Sequence, residues 1–448
     1  MRIAIDLQAV QSDSRFRGIG RYAMGLAEGI VRNRGNHDIF LVLNGSLPES
    51  VQTVRENFAG LLPPENIVLW YTPLPLKYFE WGGMEHHKIG SILQSFCTLN
   101  LKPDVVLFCT LLGDFCDTFT CDLNRLQGFT RMATVFYDLI PYRDPDRCLG
   151  GKESPVYQRY MDLFDQMRHI DLFFPISNHA KSELRTAIKH GEAKTIFSDT
   201  DSRFKKIDIT DKERKYFLER FGIEDGFVLY TGGNDERKNI PTLLTSHQNL
   251  PETLRKRFPL VVIEGKNTVQ YESRFTEDPW IYFFDYLSDK DLLYFYNLCT
   301  LFVFPSLEEG FGLPPLEAMR CGAPVLTSNA TSLPEVVELE EALFDPRDIN
   351  NLTGKLQLAL TDMTFRELLL KNGEKQQKKF SWDLSARWCL ESMEQLPPLE
   401  STDLGLAAAN AAREAIEALH LEGDELHVAM KCFYKTFSNV EYSYNTMY

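Results

Sequence analysis

Long hydrophobic runs are missing from this chain. Apolar stretches such as Phe227 to Tyr230, Leu260 to Ile263 and Leu301 to Phe304 stop well short of the roughly 20 residues a membrane span needs. No signal peptide is legible, because Met1-Arg2 leads straight into Ile3-Ala4-Ile5, and a cytoplasmic protein is expected. Nine cysteines are scattered as Cys97, Cys109, Cys116, Cys121, Cys148, Cys299, Cys321, Cys389 and Cys432. None forms a Cys-x-x-Cys pair and several sit inside apolar runs, so they read as reduced core thiols and not as a disulfide framework or a metal site. Basic charge is in deficit: 48 Lys and Arg face 63 Asp and Glu, a net charge of −15. That balance argues against a nucleic-acid partner, which needs a basic face, while leaving room for a local basic pocket. There is no short-period repeat and no long low-complexity tract.

What is present is an alternation. The 448 residues, 44% hydrophobic and 25% charged, suit two or three globular domains. Arg2 to Leu7, Ile39 to Leu43, Ile67 to Tyr71, Val105 to Cys109, Met132 to Phe136 and Leu172 to Ile176 read as short buried strands separated by helical segments. The pattern restarts at Phe227 to Tyr230 and continues through Leu260 to Ile263, Ile281 to Phe284, Leu301 to Phe304 and Pro324 to Thr327. The charged segment from about Lys205 to Gly226 reads as the junction. The expected fold is α/β: two Rossmann-like domains whose parallel sheets face a central cleft. After Pro397-Pro398 the chain turns Ala-rich and helix-forming, and three roles stay open for it: packing appendage, oligomerisation element, or linker to a further domain.

Gly18-Ile19-Gly20-Arg21-Tyr22-Ala23 matches the Gly-x-Gly-x-x-Ala dinucleotide fingerprint, yet two features count against a nicotinamide enzyme. About ten residues separate Leu7 from Gly18, where the Rossmann turn tolerates none, and the next strand ends on Asn44 instead of an acid. A phosphate-facing loop before a helix and a plain Gly-rich helix start remain equally open.

The second half carries the stronger pattern. Ser306-Leu-Glu-Glu309-Gly-Phe-Gly-Leu-Pro-Pro-Leu-Glu317 follows directly on a strand, where open α/β sheets bind ligands. Gly310 and Gly312 permit a tight loop, and a proline suits the first helical turn. Glu317 is expected in that first turn and Glu309 on the loop before it, so two carboxylates bracket a helix N-terminus able to hold a diphosphate. Upstream, Gly232-Gly233 makes room for a ligand after another strand, and Arg237-Lys238 supplies two cations to neutralise a leaving diphosphate. Each acid and the basic pair also has a plainer reading, as a helix-dipole partner, an exposed loop acid or a solvated pair. Asp144-Pro145-Asp146 has the spacing of a metal motif but reads as a loop.

These residues resemble the GT-B glycosyltransferases of family 4 over roughly residues 1 to 395. The most specific parts are the Glu309 to Glu317 string and Gly232-Gly-Asn-Asp-Glu-Arg237-Lys238-Asn239. Arg17 to Tyr22, Val135 to Pro141, Pro175 to Asn178 and Ser328 to Glu335 support them. The resemblance implies an acceptor domain over 1–205, a nucleotide-sugar donor domain over 206–380, a helix crossing back over 381–398 with Trp382 at its start, and an unassigned extension over 399–448. It implies that Arg237 and Lys238 hold the donor diphosphate, Glu309 the sugar hydroxyls and Glu317 the ribose. Gly18, Gly20, Gly232, Gly233, Gly310, Phe311, Gly312 and Leu313 would line the donor, and Tyr286-Leu287 would lie near its base. Asp138 is the candidate for orienting the acceptor or stabilising charge at the anomeric carbon. Relatives often carry His where this chain has Tyr137, which leaves that contact open.

Retention of anomeric configuration without a metal or other cofactor follows from the same resemblance. The opening Ile5-Asp-Leu-Gln8 with Phe16 to Tyr22 is similar to bacterial polysaccharide mannosyltransferases, including O-antigen enzymes. GDP-mannose is therefore the first expected donor, with UDP-hexoses next, and the acceptor a glycan or lipid-linked saccharide at the inner face of the membrane. Peripheral membrane association and further domains of a larger polymerase belong to that expectation. A nucleotide-sugar epimerase and a non-catalytic scaffold are the competing classes.

Overall fold

The short apolar runs become strands buried on both faces, as parallel strands covered by helices require. In the computed structural model, residues 1–399 are described apart from 17, 81, 114, 115, 117, 234, 265–272 and 286. Within the C-terminal extension the described residues are 412–414, 416, 417, 421 and 423–445. The first sheet comprises β1 (Arg2–Asp6), β2 (Asp38–Asn44), β3 (Ile67–Trp70), β4 (Val105–Phe108), β5 (Arg131–Phe136), β6 (Leu172–Pro175) and β7 (Glu192–Ala193). Its order is β3-β2-β1-β4-β5-β6-β7, and Ile5 pairs in parallel with both Leu41 and Leu107. The second sheet comprises β8 (Val228–Gly232), β9 (Leu260–Glu264), β10 (Ile281–Phe284), β11 (Leu301–Phe304), β12 (Val325–Ser328) and β13 (Leu343–Phe344). Its order, β10-β9-β8-β11-β12-β13, repeats the doubly wound plan. The sheet order reverses between β1 and β4 and between β8 and β11, which makes the carboxyl ends of those strands the switch points where such sheets bind ligands.

Two compact units form around these sheets: residues 1–176, 180–196 and 382–448 in one, and 177–179 with 197–381 in the other. The charged stretch from Lys205 to Gly226 is thus not a junction. Its helix Asp211–Phe221 belongs to the second unit, where Phe217 and Leu218 are buried and Phe204 meets Tyr296 edge to face at 5.7 Å between ring centres. The two-residue strands β7 and β13 were not legible as strands, being too short to display a period.

In the first unit, the segment between Leu7 and Gly18 holds two short 3-10 turns, Gln8–Val10 and Asp13–Phe16. The helix that follows spans Gly18–Arg32, so Gly18 and Gly20 form its first turn and not a loop ahead of it. Gly25 and Gly29 lie one turn apart on this helix and receive Trp382, which opens the helix Trp382–Glu394. A β-carbon on Gly25 would stand 2.4 Å from the indole, and one on Gly29 would stand 2.7 Å from the Trp382 carbonyl oxygen. The indole also meets Tyr22 edge to face at 4.9 Å. Because the obstacle at Gly29 is backbone, Gly29→Ala should cost about 1–3 kcal/mol. Urea unfolding reads this directly, and an unchanged midpoint would show that the two helices can separate freely.

The C-terminal helix Gly423–Asn445 packs on the first unit's core. Ala429 and Phe433 are buried there with Ala412 and Ile416, and Phe437 stacks on Phe96 at 6.2 Å. It lies against edge strand β3: the Tyr71 amide, just past that strand, donates to Thr436 Oγ1 at 3.0 Å, and Lys435 Nζ sits 3.8 Å over the Tyr71 ring. Of the three roles left open for the extension, packing on a sheet edge that would otherwise face solvent is the one observed. All nine cysteines are free thiols, and burial pushes the thiols of Cys97, Cys109 and Cys389 far up, which keeps them unreactive. No helix among the described residues is long and apolar enough to cross a membrane.

Candidate active site

The switch point of the second sheet brings together the segments that follow β8 and β11. After Gly232 a 3-10 turn, Glu236–Lys238, ends at Asn239, which adopts a left-handed conformation (φ 56°) before the helix Ile240–Gln248. Asn239 locks the two segments together, since its side-chain amide donates to the Pro305 carbonyl at 3.1 Å and to the Pro346 carbonyl at 2.8 Å. The Leu307 amide donates to the Arg237 carbonyl at 2.7 Å. Gly232 is required by its surroundings, because a β-carbon there would meet the Tyr230 hydroxyl at 2.8 Å. Gly233 has ordinary space around it, its nearest neighbour for a β-carbon being Asp235 at 3.6 Å.

Those locks place Glu309 against the two cations. Lys238 Nζ lies 2.6 Å from Glu309 Oε1, and Arg237 reaches Glu309 Oε2 at 3.4 Å and the Glu308 carbonyl at 3.0 Å. Arg237 also pairs with Asp235 at 3.0 Å. Lys238 is only 8% exposed, which removes the reading of a solvated basic pair. Burial by itself would push the Glu309 carboxyl up. Lys238 and then Arg237 outweigh it, with hydrogen bonds from Lys238 and Ser306, and hold it below the ordinary carboxylate range.

Glu317 belongs to a second cluster. The helix Leu313–Arg320 starts directly after Gly312, whose φ of 114° only glycine tolerates well. Glu317 is therefore in the second turn, not the first as the sequence suggested. Pro314 and Pro315 lack amide hydrogens, so the anion-binding capacity of this end rests on the backbone from Gly310 to Leu313. Tyr296, on the helix Asp289–Leu298, donates its hydroxyl to Glu317 Oε2 at 2.8 Å and shares a 2.7 Å hydrogen bond with Thr231 Oγ1. Burial first, and the Glu317 charge second, keep that phenol protonated far beyond neutral pH. Tyr296 escaped the sequence reading because it stands in the continuous aromatic run Tyr294-Phe295-Tyr296, which looks like plain core, and Thr231 because it reads as the end of a strand. Leu287 is half-buried three residues past the end of β10, while Tyr286 lies outside the described residues.

In the first unit, Asp138 follows β5 and accepts from the Ile140 amide at 3.0 Å, an Asx turn that leaves it partly accessible. The Tyr137 hydroxyl donates to the Cys109 carbonyl at 2.9 Å and its ring meets Tyr22 edge to face, so this side chain is committed to packing. Asp144 and Asp146 are not in a loop: Asp144 caps the helix Pro145–Leu149, accepting from the Arg147 amide at 3.3 Å, and pairs with the Arg147 side chain.

A buried acid that sequence reasoning passed over sits at the carboxyl end of β1. Asp6 accepts from Gln8 N (3.2 Å), Gln8 Nε2 (2.9 Å) and Gln94 Nε2 (2.8 Å). Burial raises its carboxyl to about 6, against the pull of those hydrogen bonds. A raised acid binds more protons folded than unfolded, so its contribution to stability falls as pH rises through 4 to 6. Above that range the buried charge costs about 3 kcal/mol. Between pH 5 and 7.5 the wild type should therefore lose about 1 kcal/mol more than Asp6→Asn in urea titrations; equal losses would refute the shift.

Two doubly wound parallel sheets, one in each unit, are the plan of the GT-B fold. Solved structures agree at the level of fold. HepE of Anabaena in complex with UDP aligns with a TM-score of 0.61 at 15% identity, covering 88% of this chain and 100% of that one. Sucrose-phosphate synthase from Thermosynechococcus elongatus gives 0.63 at 17%, covering 88% and 98%. The profile of the glycosyl transferases group 1 matches residues 212–376. Serotype-specific mannosyltransferase WbdA of Escherichia coli is 33% identical over 423 residues, 92% of this chain and 50% of WbdA. O-antigen chain mannosyltransferase B of E. coli is 33% identical over 268 residues, 58% of this chain and 68% of that protein. The chain belongs to the glycosyl transferases group 1 family. It spans about half the length of the WbdA relatives it matches.

Proposed function

We propose that this chain transfers mannose from GDP-mannose, with retention of configuration, onto a glycan or lipid-linked saccharide in the synthesis of a bacterial surface polysaccharide. The observation that carries the reading is the cluster of Arg237 with the largely buried Lys238 and Glu309 at the switch point of the second sheet, in a chain akin to two mannosyltransferases. Two cations held beside a carboxylate suit a donor with an anionic diphosphate and a hydroxyl-rich sugar. Arg237 and Lys238 take the diphosphate, Glu309 accepts from sugar hydroxyls, and Glu317 accepts from the ribose. Asp138 orients the acceptor hydroxyl.

In the transfer step, the acceptor oxygen bonds to the anomeric carbon as the bond to the diphosphate oxygen breaks. The bonding electrons leave with the nucleoside diphosphate, and the acceptor proton passes to a phosphate oxygen on the same face. The guanidinium and ammonium stabilise the charge developing on the leaving group, a task that a divalent cation performs elsewhere. Accordingly, EDTA should leave the initial rate within about twofold of the untreated enzyme. A tenfold loss restored by Mg²⁺ or Mn²⁺ would overturn the metal-free reading.

The direct test incubates the protein with GDP-mannose or UDP-hexoses and a mannose-terminated oligosaccharide, and determines the anomeric configuration of the product by NMR. A new α-linkage from the α-configured donor, formed only with GDP-mannose, is the expected result. Donor turnover without acceptor would favour an epimerase, and neither binding nor turnover would sink the enzymatic reading.

A further inference from the structure

The loop that carries Glu309, Ser306 to Gly312, runs outside any sheet ladder, yet three of its carbonyls and one amide are bonded by hydroxyl side chains from a single neighbouring segment. Ser328 Oγ donates to the Ser306 carbonyl at 2.5 Å. Thr331 Oγ1 accepts from the Glu309 amide at 2.9 Å. Ser332 Oγ is shared between the Glu309 carbonyl at 2.9 Å and the Phe311 carbonyl at 2.8 Å. Ser306, Ser328 and Ser332 are fully buried, so water does not compete for the bonds that Ser328 and Ser332 make, and Thr331 is half-buried.

Two features show that the local sequence gives up its ordinary preferences to make them. Ser332-Leu-Pro-Glu335 has the pattern of a helix capping box, and Ser332 does occupy the N-cap of the helix Leu333–Val337. Its hydroxyl nevertheless makes no cap bond, and Glu335 instead accepts from the amides of Asn178 and His179 at 2.8 and 2.6 Å. Thr331 has a φ of 51°, and a β-branched residue in the left-handed region is strained. Turning Thr331 back to an ordinary conformation would swing Oγ1 away from the Glu309 amide.

We infer that Thr331, backed by Ser328 and Ser332, is a positioning residue for catalysis: the three hydroxyls form a clasp that fixes the loop backbone on either side of Glu309 and at Glu309 itself, while Lys238 and Arg237 fix its carboxylate. The inference deepens the proposed function and rests on it for the role of Glu309. Thr331 bonds the loop at the Glu309 amide, so its removal should change turnover while leaving nucleoside diphosphate binding alone.

The test is a double-mutant cycle with a second readout. Thr331→Val keeps the branched shape and loses the acceptor, whereas Thr331→Ser keeps the oxygen. Thr331→Val should lower kcat for transfer from GDP-mannose by about tenfold or more. The Kd for GDP should stay within about twofold, and Thr331→Ser should recover most of the lost rate. In a Glu309→Gln background the Thr331→Val loss should shrink to less than about twofold. NMR titration of the Glu309 carboxyl adds a readout independent of activity: Thr331→Val should move its midpoint upward as the carboxylate slips from Lys238. Equal rate losses in both backgrounds, or an unmoved Glu309 titration, would overturn the clasp. If Glu309→Gln leaves kcat intact while Thr331→Val still shifts the titration, the clasp stands and the sugar-contacting role of Glu309 falls.

Discussion

Replacing Lys238 by methionine should abolish measurable transfer and also destabilise the unliganded protein by about 3 kcal/mol. The two losses share one cause. Lys238 and Glu309 are each about 10% exposed at the side chain and lie 2.6 Å apart, so removing the ammonium leaves a buried carboxylate whose remaining ion pair is the longer 3.4 Å contact to Arg237. Rate should fall about a thousandfold, because a cation facing the leaving diphosphate is worth several kcal/mol in the transition state. The stability effect has a definite pH signature. In the wild type Glu309 sits below the ordinary carboxylate range, so the pair's contribution is complete at neutral pH and drains away only as pH falls through that lowered value. In Lys238→Met, burial dominates and raises the same carboxyl, so acidification relieves its penalty. The stability gap between the two proteins should be widest near neutral pH and close towards pH 4. A gap independent of pH would mean that the ion pair is not the source of the loss. Glu309→Gln combined with Lys238→Met should cost much less than the sum of the single changes, since neither partner is then left charged and alone.

The second large effect is expected at Glu317. Glu317→Ala should weaken GDP binding by about 10- to 100-fold, the worth of one or two charge-assisted hydrogen bonds to ribose hydroxyls. Tyr296→Phe should weaken it by about tenfold, because its hydroxyl fixes the carboxylate that is proposed to bind the ribose. In the Glu317→Ala background the tyrosine change should add little. Since Tyr296 stays protonated far above neutrality, the loss should be flat between pH 6 and 9. Titration calorimetry with GDP reads both points. Additive losses would indicate a direct ligand role for Tyr296, and a pH-dependent loss would mean that its proton is exchanged in the working range.

Much of this architecture was legible because burial on both faces leaves strands as continuous apolar runs. Ile281 to Phe284 and Leu301 to Phe304 are strands over those very residues. That Arg237, Lys238 and Glu309 come together was legible in part, because both segments follow strands directly and carry the glycines that a tight turn at a strand end needs. What sequence could not reveal was how neighbouring segments use their polar groups. Ser332 and Glu335 have the spacing of a capping box and serve elsewhere. Helix starts were misjudged where backbone freedom decides: Gly312 lets the Leu313–Arg320 helix begin before its prolines, and Gly18 is already helical. The acid at position 6 was hidden because a strand ending in Asp looks the same whether that acid faces water or, as here, the side chains of Gln8 and Gln94.

The central claim is that the residues after β8 and β11 hold a nucleoside diphosphate. It is tested most directly by thermal and urea unfolding of the wild type, Lys238→Met and Glu317→Ala in the presence of GDP, UDP and ADP. GDP at a hundred times its dissociation constant should stabilise the wild type by about 2.7 kcal/mol. UDP and ADP at the same concentration should do less, and neither variant should respond. Stabilisation that survives both substitutions would move the nucleotide away from these residues, and no stabilisation of the wild type by any of the three would contradict the account.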